Sequence, residues 1–85
     1  MPKTIFGGDH RHLVAVLVEA RRASGLTQAE LAARVGKDQS FVSIIERGQR
    51  RVDVLEFVAL SRAMDTEPTQ LFERVTRRLS RALRI

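Results

Sequence analysis

The chain has 85 residues, which is enough for one small domain with its own hydrophobic core. It contains no cysteine, which excludes disulfides and thiolate metal sites as supports for that core. The formal net charge of +5 favours a polyanionic partner, and Lys3 and Lys37 are the only lysines among the 15 basic residues. Arginine binds phosphate and guanine as a rigid fork, although an arginine-rich composition would also follow from a GC-rich genome.

The start of the chain carries no pattern for export or membrane insertion. Residues 1–6 lack the apolar core of a signal peptide, and residues 1–8 are predicted to form a flexible arm. Apolar runs such as residues 13–18 are far shorter than the about 20 residues that a membrane-spanning helix needs. We therefore expect a cytoplasmic protein that has no membrane partner.

A first helix is predicted over residues 10–23, with Asp9 as its N-cap and Gly25 as its stop. A second helix should begin at Gln28, because Thr27 and Glu30 match a T-x-x-E capping box. The apolar residues of the first helix recur at three- and four-residue spacing, as on one helical face: Leu13, Val16, Leu17 and Ala20.

A third helix follows after a tight turn. Gly36 ends the second helix in a left-handed conformation, and Asp38 is the expected N-cap of the third, which Gly48 closes. Two short helices joined in this way form a helix-turn-helix, the element that places one helix in the DNA major groove. The third helix has an apolar face formed by Phe41, Val42 and Ile45, and a largely uncharged opposite face formed by Gln39, Ser40, Ser43, Ile44 and Arg47.

Two further helices complete the predicted domain. Asp53 and Glu56 match a capping box at the start of a fourth helix, which should be strongly buried from Val54 to its end near Met64. Asp65 follows where glycine would be the easier C-cap. Pro68 suits the first turn of a fifth helix, which is predicted to run toward the C-terminus through Leu71, Phe72, Val75, Leu79 and Leu83.

The chain resembles the phage-repressor, Cro and Xre-like helix-turn-helix family over about residues 10–72. The matching segments follow in family order and spacing: GLTQAELA at 25–32, VG at 35–36, VSIIERG at 42–48 and LF at 71–72. The resemblance implies an all-α, compact five-helix lambda-repressor-like domain. It also implies a transcriptional regulator that binds double-stranded operator DNA as a homodimer on a two-fold site. The domain would span residues 9–72, between the arm and a basic, amphipathic helical extension over residues 73–85.

The resemblance also implies roles for individual residues. Gln28 matches a phosphate-binding residue at the start of the second helix, where the helix dipole favours an anion. Ile44 departs from the polar residue often found at its position, and it could contact only a thymine methyl. Glu46 resembles a buried acid that pairs with an arginine of the first helix, here Arg21, in a structural role. The expected base-reading residues are Gln39, Ser40, Ser43 and Ile44, and the other expected phosphate ligands are Arg47, Gln49, Arg50 and Arg51.

The C-terminal extension over residues 73–85 permits several interpretations, because its arginines alternate with an apolar stripe. In order of preference it makes the dimer, extends the phosphate contacts, or docks on an unrelated protein partner. A fourth interpretation is a helix packed on its own domain with a frayed, solvated arginine face.

A protein-interaction module, such as an antitoxin or anti-activator, is the alternative function for the same fold. Its mark would be exposed apolar residues in place of polar DNA readers, and Ile44 and the C-terminal stripe are the hints of this kind. His10 and His12 stand two apart and do not share a helix face, so no metal or cofactor is expected. No nucleophile–base pair or phosphate-binding glycine loop is apparent, and an enzyme is not predicted.

Overall fold

The computed structural model describes residues 8–83, so the predicted arm lies outside the described residues except for Gly8. Within residues 8–83 the chain forms helices and no strand, which confirms the all-α prediction. The five helices are α1 (His10–Ala23), α2 (Gln28–Arg34), α3 (Gln39–Glu46), α4 (Val54–Ala63) and α5 (Pro68–Thr76). None of these helices is long and apolar enough to cross a membrane.

Both predicted capping boxes form. In α2 the Thr27 hydroxyl accepts a hydrogen bond from the Glu30 backbone N–H at 3.0 Å, and the Glu30 carboxylate accepts from the Thr27 N–H at 2.8 Å. In α4 the same reciprocal pair joins Asp53 and Glu56 at 2.7 and 3.0 Å. Each box satisfies N–H groups that the first turn of a helix leaves unpaired, so the starts of α2 and α4 are fixed locally.

The aspartates before α1 and α3 stand at the predicted N-cap positions, but neither side chain makes a capping hydrogen bond. The Asp38 carboxylate accepts from the Ser40 hydroxyl instead. The Asp9 carboxylate binds Ser80, far along the chain. At α1 a tertiary partner replaces the expected cap. At α3 the Ser40 hydroxyl, with the backbone N–H groups of Phe41 and Ser40, lowers the pKa of Asp38, so the carboxylate still interacts with the first turn.

The turns after α2 and α4 both use a residue in the left-handed region. Gly36 has a φ of 74° and Asp65 a φ of 54°, as the sequence predicts. Glycine adopts this region freely, whereas an aspartate there costs about 1–2 kcal/mol. The Asp65 carboxylate lies 3.7 Å from the Arg34 guanidinium, which places an opposite charge beside the strained residue.

One core receives side chains from all five helices. Helices α2 and α3 pack closely on each other, α1 packs on α3 and α5, and α4 packs on α5 and α2. The buried Ser61 is satisfied within α4, because its hydroxyl donates to the Phe57 carbonyl at 2.7 Å. The buried apolar residues are Val16, Leu17, Ala20, Leu31, Ala32, Val42, Ile45, Phe57, Leu60, Met64, Leu71 and Val75.

The first turn of α4 departs from the predicted burial. Val54 and Leu55 expose 78% and 80% of their surface, although the apolar run suggests a strongly buried helix. Phe72 of α5 is also exposed, at 55%, and its ring meets Phe57 edge-on at 5.8 Å between centroids. The surface therefore carries an apolar patch, which we call the α4–α5 face and which consists of Val54, Leu55, Val58 and Phe72.

Helix α5 is shorter than predicted. It ends at Thr76, and residues 77–83 form turns rather than the helix that the apolar spacing suggests up to Leu83. Leu79 still packs against the core, so one apolar residue of the predicted stripe is used. Beyond this end, the segment makes contacts with α1 and with the residue that precedes it.

These contacts form what we call the C-terminal clasp. Arg74 and Arg78 place their guanidinium groups 3.2 and 2.8 Å from a carboxylate oxygen of Glu19. Ser80 donates its hydroxyl to Asp9 at 2.6 Å and its backbone N–H at 3.1 Å. The Arg78 hydrogen bonds hold the pKa of Glu19 below its ordinary value. Up to Ser80 the C-terminal segment packs on its own domain, as in the fourth interpretation. It does so in turns after Thr76 rather than as a helix, and Arg74 and Arg78 pair with Glu19.

We predict that Leu71→Ala lowers the free energy of unfolding by about 2–5 kcal/mol, because this side chain is fully buried and its loss leaves a cavity. Urea unfolding followed by circular dichroism measures the change. Leu83→Ala is the matched control, since Leu83 is 48% exposed and its truncation should change stability by less than about 0.5 kcal/mol. Equal losses for both variants would contradict the described core.

Candidate nucleic-acid interface

Helix α3 turns its predicted reading face outward. Val42 and Ile45 are each only 2% exposed and anchor the opposite side of the helix in the core. Positions one, two, five and six of an α-helix share one face, and these positions carry the predicted base-reading residues. Gln39 and Ser40 are exposed, whereas Ser43 and Ile44 are partly buried further along the same face.

The structure brings a predicted phosphate ligand and a predicted base reader into direct contact. The Gln39 side-chain amide donates from Nε2 to Gln28 Oε1 at 3.2 Å. Gln28 in turn donates from its own Nε2 to Glu46 Oε1 at 2.8 Å. The sequence gives no periodic pattern for these contacts, because they join the start of α2 to both ends of α3.

The Arg21–Glu46 ion pair implied by the resemblance is present. Arg21 donates from Nε to Glu46 Oε2 at 2.7 Å and from Nη2 to Oε1 at 3.0 Å, and its Nη1 donates to the Leu26 carbonyl at 2.9 Å. The two side chains are only 12% and 9% exposed. The pair therefore ties α1 to the end of α3 and to the residues that precede α2.

Arg50 has a structural role that the sequence analysis did not predict. Its guanidinium donates two hydrogen bonds to the Glu56 carboxylate, at 2.8 and 2.6 Å, and lies 5.0 Å from the centroid of the Phe41 ring. These contacts hold the loop after α3 against the start of α4. The Arg50 side chain is still 39% exposed, so its phosphate role stays a prediction beside this structural one. Glu56, six residues after Arg50, was the signal in the sequence for this ion pair, but the sequence analysis assigned it only to the capping box.

The rest of this loop faces solvent. Arg47 and Arg51 are exposed and Gln49 is partly buried, so the loop places charge beside α3 as predicted from the position after Gly48. Lys37 adds an exposed cation before α3 that the sequence analysis did not assign to the site, and its Nζ lies 5.6 Å from the centroid of the Phe41 ring. Positive side chains thus stand at both ends of the polar face of α3.

The start of α1 packs beside the same loop. Burial lowers the pKa of His10 below its ordinary value, and the positive charge of Arg51 lowers this pKa further. A hydrogen bond with the Arg50 backbone raises the pKa but does not offset the effect of burial. His10 is therefore held toward its neutral form. Within residues 8–83, no three histidine, aspartate or glutamate side chains gather in a group that could hold a metal ion.

We predict that the stability contributed by Glu56 is lost in acid. The Arg50 hydrogen bonds lower the pKa of Glu56 from 4.5 to about 2. A carboxyl group whose pKa is depressed by folding stabilises the folded state above its unfolded pKa, and this effect is lost as the pH falls through the folded pKa. The difference in unfolding free energy between wild type and Glu56→Gln should be constant above about pH 5 and shrink toward pH 2.

Urea unfolding of both proteins at several pH values between 7 and 2 measures this difference directly. Other carboxyl groups titrate in both proteins and cancel in the comparison. A difference that stays the same from pH 7 to pH 2 would show that the Arg50–Glu56 pair does not stabilise the fold.

Comparison with known proteins agrees with this geometry. A family model described as helix-turn-helix (HTH_3) matches residues 17–71. The curated HTH-type transcriptional regulator y4dJ of Sinorhizobium fredii is 38% identical over 64 residues, which cover 74% of this chain and 83% of that protein. An XRE-family like protein from Pseudomonas syringae pv. tomato has a TM-score of 0.76 and 45% identity, over 81% of this chain and 84% of its own. The restriction-modification controller protein C.AhdI from Aeromonas hydrophila has a TM-score of 0.69 and 42% identity, over 75% and 93%.

Proposed function

This chain belongs to the Xre-like helix-turn-helix family of DNA-binding transcriptional regulators, and we propose that it binds a specific operator by placing α3 in the major groove. The observation that carries the proposal is the outward polar face of α3 beside exposed cations. Gln39 and Ser40 are exposed at the start of α3, and Arg47 and Arg51 are exposed beyond its end. Contacts to phosphate fix the register of a protein on DNA, and contacts to base edges supply the sequence preference.

The base-reading residues are Gln39, Ser40, Ser43 and Ile44, with different chemical reach. A glutamine amide forms a bidentate pair with adenine, a serine hydroxyl bonds to several bases, and an isoleucine contacts the thymine methyl. The phosphate ligands are Gln28, Arg47, Gln49 and Arg51. Arg50 is a fifth proposed phosphate ligand, and its pair with Glu56 fixes the loop that carries Arg47, Gln49 and Arg51.

We place the homodimer interface on the α4–α5 face rather than on residues 73–85. The C-terminal clasp engages Arg74 and Arg78 with α1, so this segment is already used within its own domain. The α4–α5 face, in contrast, exposes Leu55 at 80% and a shallow groove beside Phe72. A two-fold axis sets such a face against its own copy, and its uncharged residues bring no like charges together at the centre. Two recognition helices about 34 Å apart would then match half-sites one DNA turn apart.

The α4–α5 face also fits the alternative function, a protein-interaction module. An antitoxin or anti-activator would use this apolar surface for a different protein. The hints first considered are weaker, since Ile44 is partly buried and Leu79 of the C-terminal stripe packs against the core. A homodimer that binds operator DNA distinguishes the regulator from a module that is monomeric until its protein partner is added.

We predict at least about thousandfold tighter binding to DNA from the protein's own promoter than to a scrambled duplex. Fluorescence anisotropy titrations over a range of salt concentrations measure the affinity for both duplexes.

Arg51→Ala should weaken binding to all duplexes alike and reduce the slope of log K against log salt by about one, because one phosphate contact is lost.

Arg77→Ala is the matched control, since Arg77 is exposed directly after α5, which packs on α1 and α4. It removes the same charge but should leave the salt slope unchanged. Weak, equal and steeply salt-dependent binding of the wild type to promoter and scrambled DNA would contradict a specific regulator.

We predict that Leu55→Glu converts a dimer to a monomer, because it places two carboxylates at the centre of the proposed interface. Sedimentation equilibrium measures the mass. Leu83→Glu, in the segment over residues 73–85, should leave the dimer intact. If Leu83→Glu alone dissociated the dimer, the interface would lie on the C-terminal segment instead. A monomeric wild type would refute a stable dimer.

A further inference from the structure

We infer that the Arg21–Glu46 ion pair sets the direction of a hydrogen-bond chain that ends at Gln39, and thereby helps to select the base that Gln39 reads. The inference rests on the proposed function and deepens it. It gives Arg21 and Glu46 a positioning role in specificity beyond the structural role of a buried ion pair. The chain runs from Arg21 through Glu46 and Gln28 to Gln39.

The starting point of the chain is a fixed acceptor. An ionised carboxylate accepts hydrogen bonds and donates none. Arg21 donates to both oxygens of Glu46, at 2.7 and 3.0 Å, and both side chains are about nine-tenths buried. A planar guanidinium bound to two carboxylate oxygens also restricts rotation of the carboxylate. Glu46 therefore presents Oε1 to Gln28 in one orientation only.

The orientation of the two glutamine side-chain amides is then fixed. A glutamine amide has an oxygen that accepts and a nitrogen that donates. Gln28 must turn Nε2 toward Glu46, at 2.8 Å, and this leaves its Oε1 facing Gln39. Gln39 must in turn present its own Nε2, at 3.2 Å. Rotating Gln28 would set its oxygen against the Glu46 carboxylate, and rotating Gln39 alone would set two oxygens against each other.

This direction determines what Gln39 offers to DNA. One of its two N–H groups is committed to Gln28, so one N–H and Oε1 remain. Adenine presents an acceptor at N7 beside a donor at N6, which matches one N–H and one oxygen. Guanine presents two acceptors, N7 and O6, and the Gln39 oxygen would face one of them. The chain as observed therefore favours adenine over guanine at the position that Gln39 reads.

Reversal of the chain should reverse this preference. In Glu46→Gln the amide oxygen takes the place of Oε2, which accepts from Arg21 Nε at 2.7 Å. The amide nitrogen takes the place of Oε1, where it loses the hydrogen bond from Arg21 Nη2 and donates to Gln28. Gln28 would then turn Oε1 toward position 46 and Nε2 toward Gln39. Gln39 would bind Gln28 through Oε1 and present both N–H groups, which match the two acceptors of guanine.

The experiment measures binding to four duplexes that differ only at the base pair contacted by Gln39. That position is the one at which Gln39→Ala abolishes the wild-type preference. We expect wild type to prefer adenine over guanine by about tenfold. Glu46→Gln should lower the adenine-to-guanine ratio by at least about tenfold, whereas a purely structural role would weaken binding to all four duplexes equally.

Gln28→Met provides a second variant that leaves the Arg21–Glu46 pair intact, in case Glu46→Gln does not fold. Methionine has similar length but cannot continue the chain, so the ratio should fall to about twofold. Its loss of a proposed phosphate contact affects all four duplexes alike and cancels in the ratio. In the Gln39→Ala background, Gln28→Met should produce no further change in the ratio.

Arg51→Ala is the matched control, because it should weaken binding without changing the ratio. A wild-type ratio in folded Glu46→Gln or in Gln28→Met would overturn the inference and leave the proposed function standing. Absence of any base preference in the wild type would refute the proposed function and this inference with it. Circular dichroism establishes whether each variant is folded.

Discussion

The rest of this molecule depends on a charge pair that is almost removed from water. A buried charge is tolerated only when its partner and its remaining hydrogen-bonding groups are satisfied. Arg21 meets this requirement with three donors, two to Glu46 and one to the Leu26 carbonyl. Since those partners belong to the end of α3 and the approach to α2, a single guanidinium sets how the two helices of the motif lie on α1. The orientation of the polar face of α3 therefore depends on this ion pair.

The cations of this protein fall into two populations that net charge alone does not separate. Arg21, Arg50 and Arg78 serve the fold, because each binds a carboxylate with at least two hydrogen bonds. Arg47 and Lys37 stand exposed near α3, where a polyanion would meet them. A basic composition is therefore weak evidence for a DNA surface, and the placement of each charge relative to α3 is the informative quantity.

Features that depend on neighbouring residues were predictable from the sequence, and features that depend on distant ones were not. The capping boxes and the left-handed Asp65 follow from a few adjacent residues and are present. The contact of Arg78 with Glu19, 59 residues away, has no local pattern in the sequence, and neither does the end of α5 at Thr76. Leu55 lies in an apolar run that suggests burial, yet α5 covers only part of that face. For the site, exposure of Gln39 and Ser40 was predictable from helical spacing, whereas the chain from Glu46 to Gln39 required three-dimensional contacts.

The C-terminal clasp has a topological consequence. The carboxylate of Asp9 meets Ser80, 71 residues later, so the two ends of the described domain lie side by side. The path of the backbone is thus nearly a closed ring, and a short linker could join its ends without moving a helix. Circularly permuted versions, opened instead at an exposed turn such as that at Gly36, would retain every helix pairing of the core. A domain fused to either end would leave the molecule from the same region, next to the start of α1.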